Sequence, residues 1–302
     1  MMHSISLQTL QLQTTFEAKE DGMLPAYLGS TLRGVLGHAM RHPVCIKPNE
    51  RCHLCSYAKS CNYANFFNSP GNVAGAVNPY VLHVPVRDKV HWKKGDLCTF
   101  DITIFGEATA AANYYLSGII NMGNYGWGVN RLQFKPVHMI NKMDQTIVWK
   151  NEQTWENNLK AYPLEVNHRT ALGIYIHFVS PTRILVKRKL QRRLSFYTIV
   201  QSILRRIQLI SQAYAQQVNA WDEDLLLEKA KAVEVVEEDW QYVDFKRYSK
   251  TYNRKLQLPA IEGYAQFSGD ITPFIPLLEL GKTFHIGKNS THGFGRYELY
   301  YV

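Results

Sequence analysis

Two histidines, four clustered cysteines and a run of cations are the residues of this chain whose types and spacing suit chemistry. His38 and His42 are four residues apart, so a helix carries both on one face. Histidine titrates nearest neutral pH and is the natural general acid or base. His42 stands directly before Pro43, which disfavours further helix at that point. The C-terminal end of a helix attracts positive charge through the helix dipole.

Cys45, Cys52, Cys55 and Cys61 fall within 17 residues. Four thiolates can close a tetrahedral zinc site, and Cys52-x-x-Cys55 is the usual tight ligand pair. A redox pair or unconnected buried thiols are the alternatives, but a redox CxxC needs no two further cysteines in the same loop. The expectation is a structural metal, zinc first and an iron–sulfur cluster second. An all-cysteine site has no open position for catalysis, so it would fix a long loop. Cys98 lies in a strand-like run and is assigned to the core.

Eight Lys or Arg stand between Arg183 and Arg206 with no acid among them, while the acids gather in "WDEDLLLEKAKAVEVVEEDW". That segregation favours a polyanion-binding face over an ordinary solvated one. Lys187, Arg188, Lys189, Arg192 and Arg193 are the candidate phosphate contacts. The closing stretch "GKNSTHGFGRYELYYV" offers another. Gly287-Lys288 is half of a P-loop, but Lys282 occupies the place of the required first glycine, and the loop follows a helix and opens a strand. Gly287, Gly293 and Gly295 can instead bring backbone N–H groups close to phosphates, with Lys288, Ser290, Thr291 and His292 as added donors. The alternative is a tight turn that needs positive φ.

The elements that would position these groups alternate in a recognisable order. "SISLQTLQLQTTF" alternates as a half-buried strand does, and "LPAYLGSTLRGVLGHAM" has helical spacing. "PYVLHVPV" and "LCTFDITIFG" read as strands, "ATAAANYYLSGIINMG" as a helix, and a glycine turn then leads into a last strand. The order is β-α-β-β-α-β. The pattern weakens around 150–168 and then repeats. Both halves end in a helix, a Gly-aromatic-Gly turn and a strand; the turns hold Gly126-Trp127-Gly128 and Gly293-Phe294-Gly295. The expected class is α+β: two tandem ferredoxin-like (RRM-like) domains at 1–150 and 165–302, with a cysteine-rich loop at about 43–75 in the first.

The 302 residues, 46% hydrophobic, suit two domains with a sizeable core. A net charge of +9 favours a polyanionic partner without choosing among RNA, DNA and a membrane surface. The N-terminus lacks the charged and apolar regions of a signal peptide, no apolar run is long enough to span a membrane, and clustered cysteines suit a reducing cytoplasm.

The stretches "LGSTLRGVLGHAMRH", C-x6-C-x2-C-x5-C-x-Y with its following "FF", and "GKNSTHGFGRYEL" together resemble the CRISPR-associated endoribonucleases of the RAMP superfamily that process precursor CRISPR RNA. The resemblance implies two ferredoxin-like domains, recognition of a repeat-derived RNA, and a metal-independent cut that leaves a cyclic phosphate. It also implies a catalytic histidine near the end of the first helix, assisted by a tyrosine early in that helix and a lysine after it. His42, with His38 behind it, Tyr27 and Lys47 fit that arrangement. Other CRISPR-associated proteins or a homodimer are the further partners it suggests. A RAMP subunit that holds guide RNA without cutting it is the alternative.

Overall fold

The computed structural model describes residues 7–68, 77–164, 169–215, 222–249 and 254–302. It divides into two compact units, one built on Ser6–Pro163 and the other on Leu164–Gln212 and Gln217–Val302. The expected cysteine-rich loop passes out of the described residues after 68, and part of the weak stretch at 150–168 also lies outside them.

The first unit is an antiparallel sheet with two helices. Its five longer strands are β1 (Gln8–Ala18), β2 (Tyr80–His83), β3 (Leu97–Phe105), β4 (Phe134–Asn141) and β5 (Thr146–Lys150), and two-residue strands at Gln153–Thr154 and Tyr162–Pro163 extend the same sheet. Helix α1 (Gly29–Arg41) follows β1, and α2 (Ala112–Asn121) follows β3 through a 3-10 turn. The sheet order is β2-β3-β1-β4-β5, with all pairs antiparallel. Alternation explains the layering: Leu10, Leu12 and Phe16 of β1 and Phe100, Ile102 and Ile104 of β3 are buried with the helices. Their neighbours Gln13 and Asp101 lie directly opposite each other on the other face. Leu32, Val35, Leu36, Ala39 and Met40 form the apolar stripe of α1. Gly118 of α2 admits the Met40 side chain, so the helices pack closely near the C-terminal end of α1.

The second unit repeats the order. Strand β6 (Gly173–Thr182) leads to α3 (Phe196–Tyr214) and α4 (Glu223–Lys231), then to the long hairpin β7 (Glu234–Ser249) and β8 (Arg254–Ser268), then to α5 (Ile275–Phe284) and β9 (Glu298–Tyr301). The sheet runs β7-β8-β6-β9, again antiparallel. In both units the first strand therefore lies between the third and the fourth. Ile174, Ile176 and Phe178 of β6 and Phe196, Ile199, Val200 and Ile203 of α3 are buried, and Phe196 packs edge-on against Phe267 of β8. Helix α4, β5 and a two-residue-per-strand hairpin at Leu185–Leu190 are additions that the sequence pattern did not announce.

The Gly-aromatic-Gly turns share one construction. Trp127 and Phe294 are fully buried, and Trp127 stacks on Phe134 at 4.1 Å between ring centres. The flanking glycines allow the backbone to close behind the ring. A Cβ on Gly126 would overlap the Arg131 backbone, and one on Gly295 (φ +82°) would overlap the backbone of Ile286. No helix among the described residues is long and apolar enough to cross a membrane.

Candidate active site and nucleic-acid interface

His42 is the C-cap of α1, and the chain on either side of it is held by hydrogen bonds. Its N–H donates to the His38 carbonyl at 2.9 Å, and the Cys45 N–H donates to the Arg41 carbonyl at 2.9 Å. The Tyr114 hydroxyl donates to the Met40 carbonyl at 2.8 Å. These bonds satisfy carbonyls that a helix end otherwise leaves without partners. The imidazole itself is exposed and stands edge-on to Tyr125 of the first glycine turn, 6.4 Å between ring centres. His38 is also exposed, one turn earlier. The arrangement offers an imidazole on a fixed backbone, which is what general acid–base chemistry requires of its proton carrier.

The other expected catalytic groups are placed differently. Tyr27 precedes α1, is buried, and pairs through its backbone with Arg87. At 1.5 Å rise per residue, α1 separates it from His42 by roughly 20 Å. Lys47 is tied into the cysteine loop: its Nζ donates to Glu50 Oε1 at 3.0 Å and Ser56 Oγ at 3.3 Å and lies over the Tyr57 ring. Cys98 is buried in β3, and burial pushes its thiol up to about 12.

In the second unit the cations and the glycine loop adjoin. Lys187 and Arg188 form the tip of the small hairpin, both at positive φ, and Lys189 follows; all three are exposed. Arg192 and Arg193 are exposed too, with Arg192 over the Tyr242 ring at 4.8 Å and Arg193 paired with Glu238 at 3.3 Å. Arg183 and Arg206 turn inward instead, donating to the carbonyls of Pro259 and Phe284. The glycine loop seats on the base of this hairpin: the Lys288 N–H donates to the Arg183 carbonyl at 2.8 Å, and the Gly295 N–H to the Pro181 carbonyl at 2.9 Å.

That seating engages several of the amides that a glycine cradle for phosphates would use. The N–H groups of His292, Gly293 and Phe294 donate to Asn289, Ser290 and Asn289 carbonyls within the loop. Ser290, His292, Gly293 and Gly295 are buried; Lys288 is exposed and Thr291 and Gly287 are half-exposed. An amide already bonded inside the protein cannot also cradle a phosphate. The loop serves as the frame, and Lys288 is its outward charge.

One polar cluster was missed by the sequence reading. Asp101 of β3 is buried on the open face of the first sheet, where Lys142 Nζ donates to Oδ2 at 2.6 Å, Gln13 Nε2 to Oδ1 at 3.0 Å, and His83 Nδ1 to Oδ2 at 3.2 Å. A lone acid inside the apolar run "FDITIF" was the available signal. Burial alone would raise the Asp101 carboxyl; the hydrogen bonds from His83, Lys142 and Gln13 and the Lys142 charge outweigh it and hold it at about 2. The carboxylate thus favours the folded state at all pH values above its unfolded range. That contribution, on the order of 2 kcal/mol, is complete above about pH 5 and lost progressively as pH falls toward 2. Denaturant unfolding of wild type and Asp101→Asn is expected to give a stability gap that narrows over that interval; parallel pH curves would dismiss the cluster as a source of stability.

Residues 7–163 match the AF_1859_N family model, an N-terminal domain, and residues 176–297 match the model of the CRISPR-associated endoribonuclease Cas6. Through residues 7–163 the chain belongs to the AF_1859_N family, and its second unit is similar to Cas6. Its fold agrees with solved Cas6 structures. A partial Cas6-RT-Cas1–Cas2 complex is similar over all of this chain and 47% of that one, at 14% identity and a TM-score of 0.65. A Cas6 product complex is similar over 97% of this chain and 99% of that one, at 12% identity and TM-score 0.59. Thermus thermophilus Cas6 covers the same shares at 12% identity and TM-score 0.58. The chain therefore spans about half the length, or less, of the Cas6-RT-Cas1–Cas2 chains it matches. No curated protein matches it in sequence.

Proposed function

We propose that this chain is a Cas6-type endoribonuclease, built of tandem ferredoxin-like domains, that binds CRISPR repeat RNA and cuts precursor CRISPR RNA without a catalytic metal. The observation that carries this reading is His42: an exposed imidazole on a hydrogen-bonded helix end, in a chain whose second unit matches the Cas6 endoribonuclease model. In the proposed step the RNA's own 2′-hydroxyl loses its proton and its oxygen attacks the adjacent phosphorus. The bond to the 5′-oxygen breaks, that oxygen takes up a proton, and a 2′,3′-cyclic phosphate remains. His42 carries one of these two protons. Lys47 steadies the phosphoryl charge only by leaving Glu50, and Tyr27 takes no part.

Phosphates away from the cut are held by Lys187, Arg188, Lys189, Arg192, Arg193 and Lys288, the exposed cations around the second glycine loop. CRISPR-associated proteins of the kind joined in the Cas6-RT-Cas1–Cas2 complex are the partners this reading favours beyond RNA. The test is incubation with repeat RNA, with and without a brief exposure to chelator. A cut product ending in a cyclic phosphate, formed equally in both, supports the reading. A stable complex with uncut RNA would instead make the chain a guide-holding subunit.

A further inference from the structure

Cys45, Cys52, Cys55 and Cys61, spread over 17 residues of chain, all line one cavity of about 30 Å³ in the first unit. Short turns bring them there. Cys45 stands on the turn that leaves α1. Cys52 and Cys55 bracket a single 3-10 turn, with the Cys55 N–H on the Cys52 carbonyl at 3.3 Å. Cys61 closes the next 3-10 turn, and its own carbonyl accepts from the Asn65 N–H at 3.0 Å. A cavity of this size admits one ion-sized occupant and no substrate.

Two observations say that burial is not what holds this loop. First, between Pro43 and Cys61 it contains no strand and no α-helix, and its large apolar residues point outward: Ile46 is 71% exposed and Leu54 72%. A segment without its own core needs another source of order. Second, Arg41 is arranged for negative charge at the cavity. Its Nη2 donates to the carbonyls of Pro48 and Glu50 at 2.9 and 3.2 Å, its guanidinium lies beside Cys45 and Cys52, and its Nε is buried with no acceptor. Lys47 and Glu50, paired with each other at 3.0 Å, line the same cavity. A divalent ion with four thiolates carries a net charge of −2, part of which Arg41 offsets; disulfides are neutral and call for no such cation.

We propose that Cys45, Cys52, Cys55 and Cys61 bind one zinc ion as a closed structural site, which fixes the chain as it leaves α1. Among the described residues no three potential ligands already stand close enough to hold a metal, so binding draws the four thiolates inward around the cavity. Cys45 is three residues beyond His42, so closure also immobilises the helix end that carries the imidazole. This last consequence rests on the reading of His42 above; the metal site itself does not.

The test uses the whole chain. Purified protein is analysed for metals, then alkylated with iodoacetamide under native conditions, with zinc and after a strong chelator, and the modified cysteines are mapped by mass spectrometry. About one zinc per chain is expected. Four of the five cysteines should be shielded by zinc and labelled once it is removed, with buried Cys98 the same in both states. Cobalt(II) in place of zinc should give the intense visible bands of a tetrahedral thiolate site. Cys52→Ser with Cys55→Ser should abolish binding; if that variant does not fold, the wild-type labelling still decides. Labelling that ignores zinc, intact disulfides, or iron with sulfide in place of zinc would each overturn the proposal. Zinc-loaded protein that leaves RNA intact would overturn the proposed function and spare the metal site; protein that purifies without zinc and yet cuts RNA would do the reverse.

Discussion

His42→Ala is expected to slow cleavage of repeat RNA at least about 100-fold, the usual scale for removing a positioned general acid or base. The side chain is exposed and outside the apolar stripe of α1, so stability should change by less than about 0.5 kcal/mol. RNA affinity should also hold, because one imidazole adds little to a face with six exposed cations elsewhere. The loss should therefore fall on the cleavage rate under saturating protein and not on binding. His38→Ala is the comparison: it shares the helix face but is a full turn back from the cap. Single-turnover rates with both variants, alongside their melting curves, separate the two. If both cut at the wild-type rate, the acid–base role of this helix end is wrong. Brief chelator treatment should leave the rate unchanged, since no metal acts at phosphorus in this scheme; a slow loss of folded protein would be the signature of zinc leaving the cysteine loop.

The other large effect is expected at Gly295. Its φ of +82° is a conformation that L side chains rarely adopt, and an added Cβ would overlap the Ile286 backbone. Two hydrogen bonds run through this point, Ile286 N–H to the Gly295 carbonyl and Gly295 N–H to the Pro181 carbonyl, each 2.9 Å. Relieving the overlap strains both. Gly295→Ala should thus cost roughly 3–5 kcal/mol and much of the yield of folded protein. Lys288→Ala should do the opposite. It removes an exposed side chain, so stability should stay within about 0.5 kcal/mol, while the salt dependence of RNA binding becomes shallower by somewhat under one unit of slope. Thermal melts and a salt titration of RNA affinity test the pair. A Gly295→Ala protein that melts normally yet binds RNA poorly would restore the phosphate cradle that the internal hydrogen bonds argue against.

Much of the architecture was legible because it is written in local periodicity. Alternation in "LQTLQLQTTF" identifies β1, and the spacing of Leu32, Val35, Leu36 and Ala39 identifies α1. Where a second local signal competed, legibility failed. Helix α4 begins at an N-cap, with the Asp222 carboxylate accepting from the Leu225 N–H, but in the sequence its acids have the signature of a solvated charge cluster. The hairpin tip at Lys187 and Arg188 has no glycine or asparagine to mark its positive φ, so it passed as a linear basic run.

The sequence by itself determined the repeated order of elements, the histidine at the end of α1, and the spacing of four cysteines. These depend on residues a few positions apart, which the chain's own geometry relates. The tertiary structure alone decided which of the candidate groups meet. It put Tyr27 at the far end of α1 from His42, bound Lys47 to Glu50, turned Arg183 and Arg206 inward, and gathered His83, Asp101, Lys142 and Gln13 from four separate stretches of the first sheet unit. It also engaged the amides of Gly293 and Gly295 within the loop and against Pro181. Each of these outcomes is a competition for hydrogen bonds and buried space between residues far apart in the chain, and spacing carries no record of who wins it.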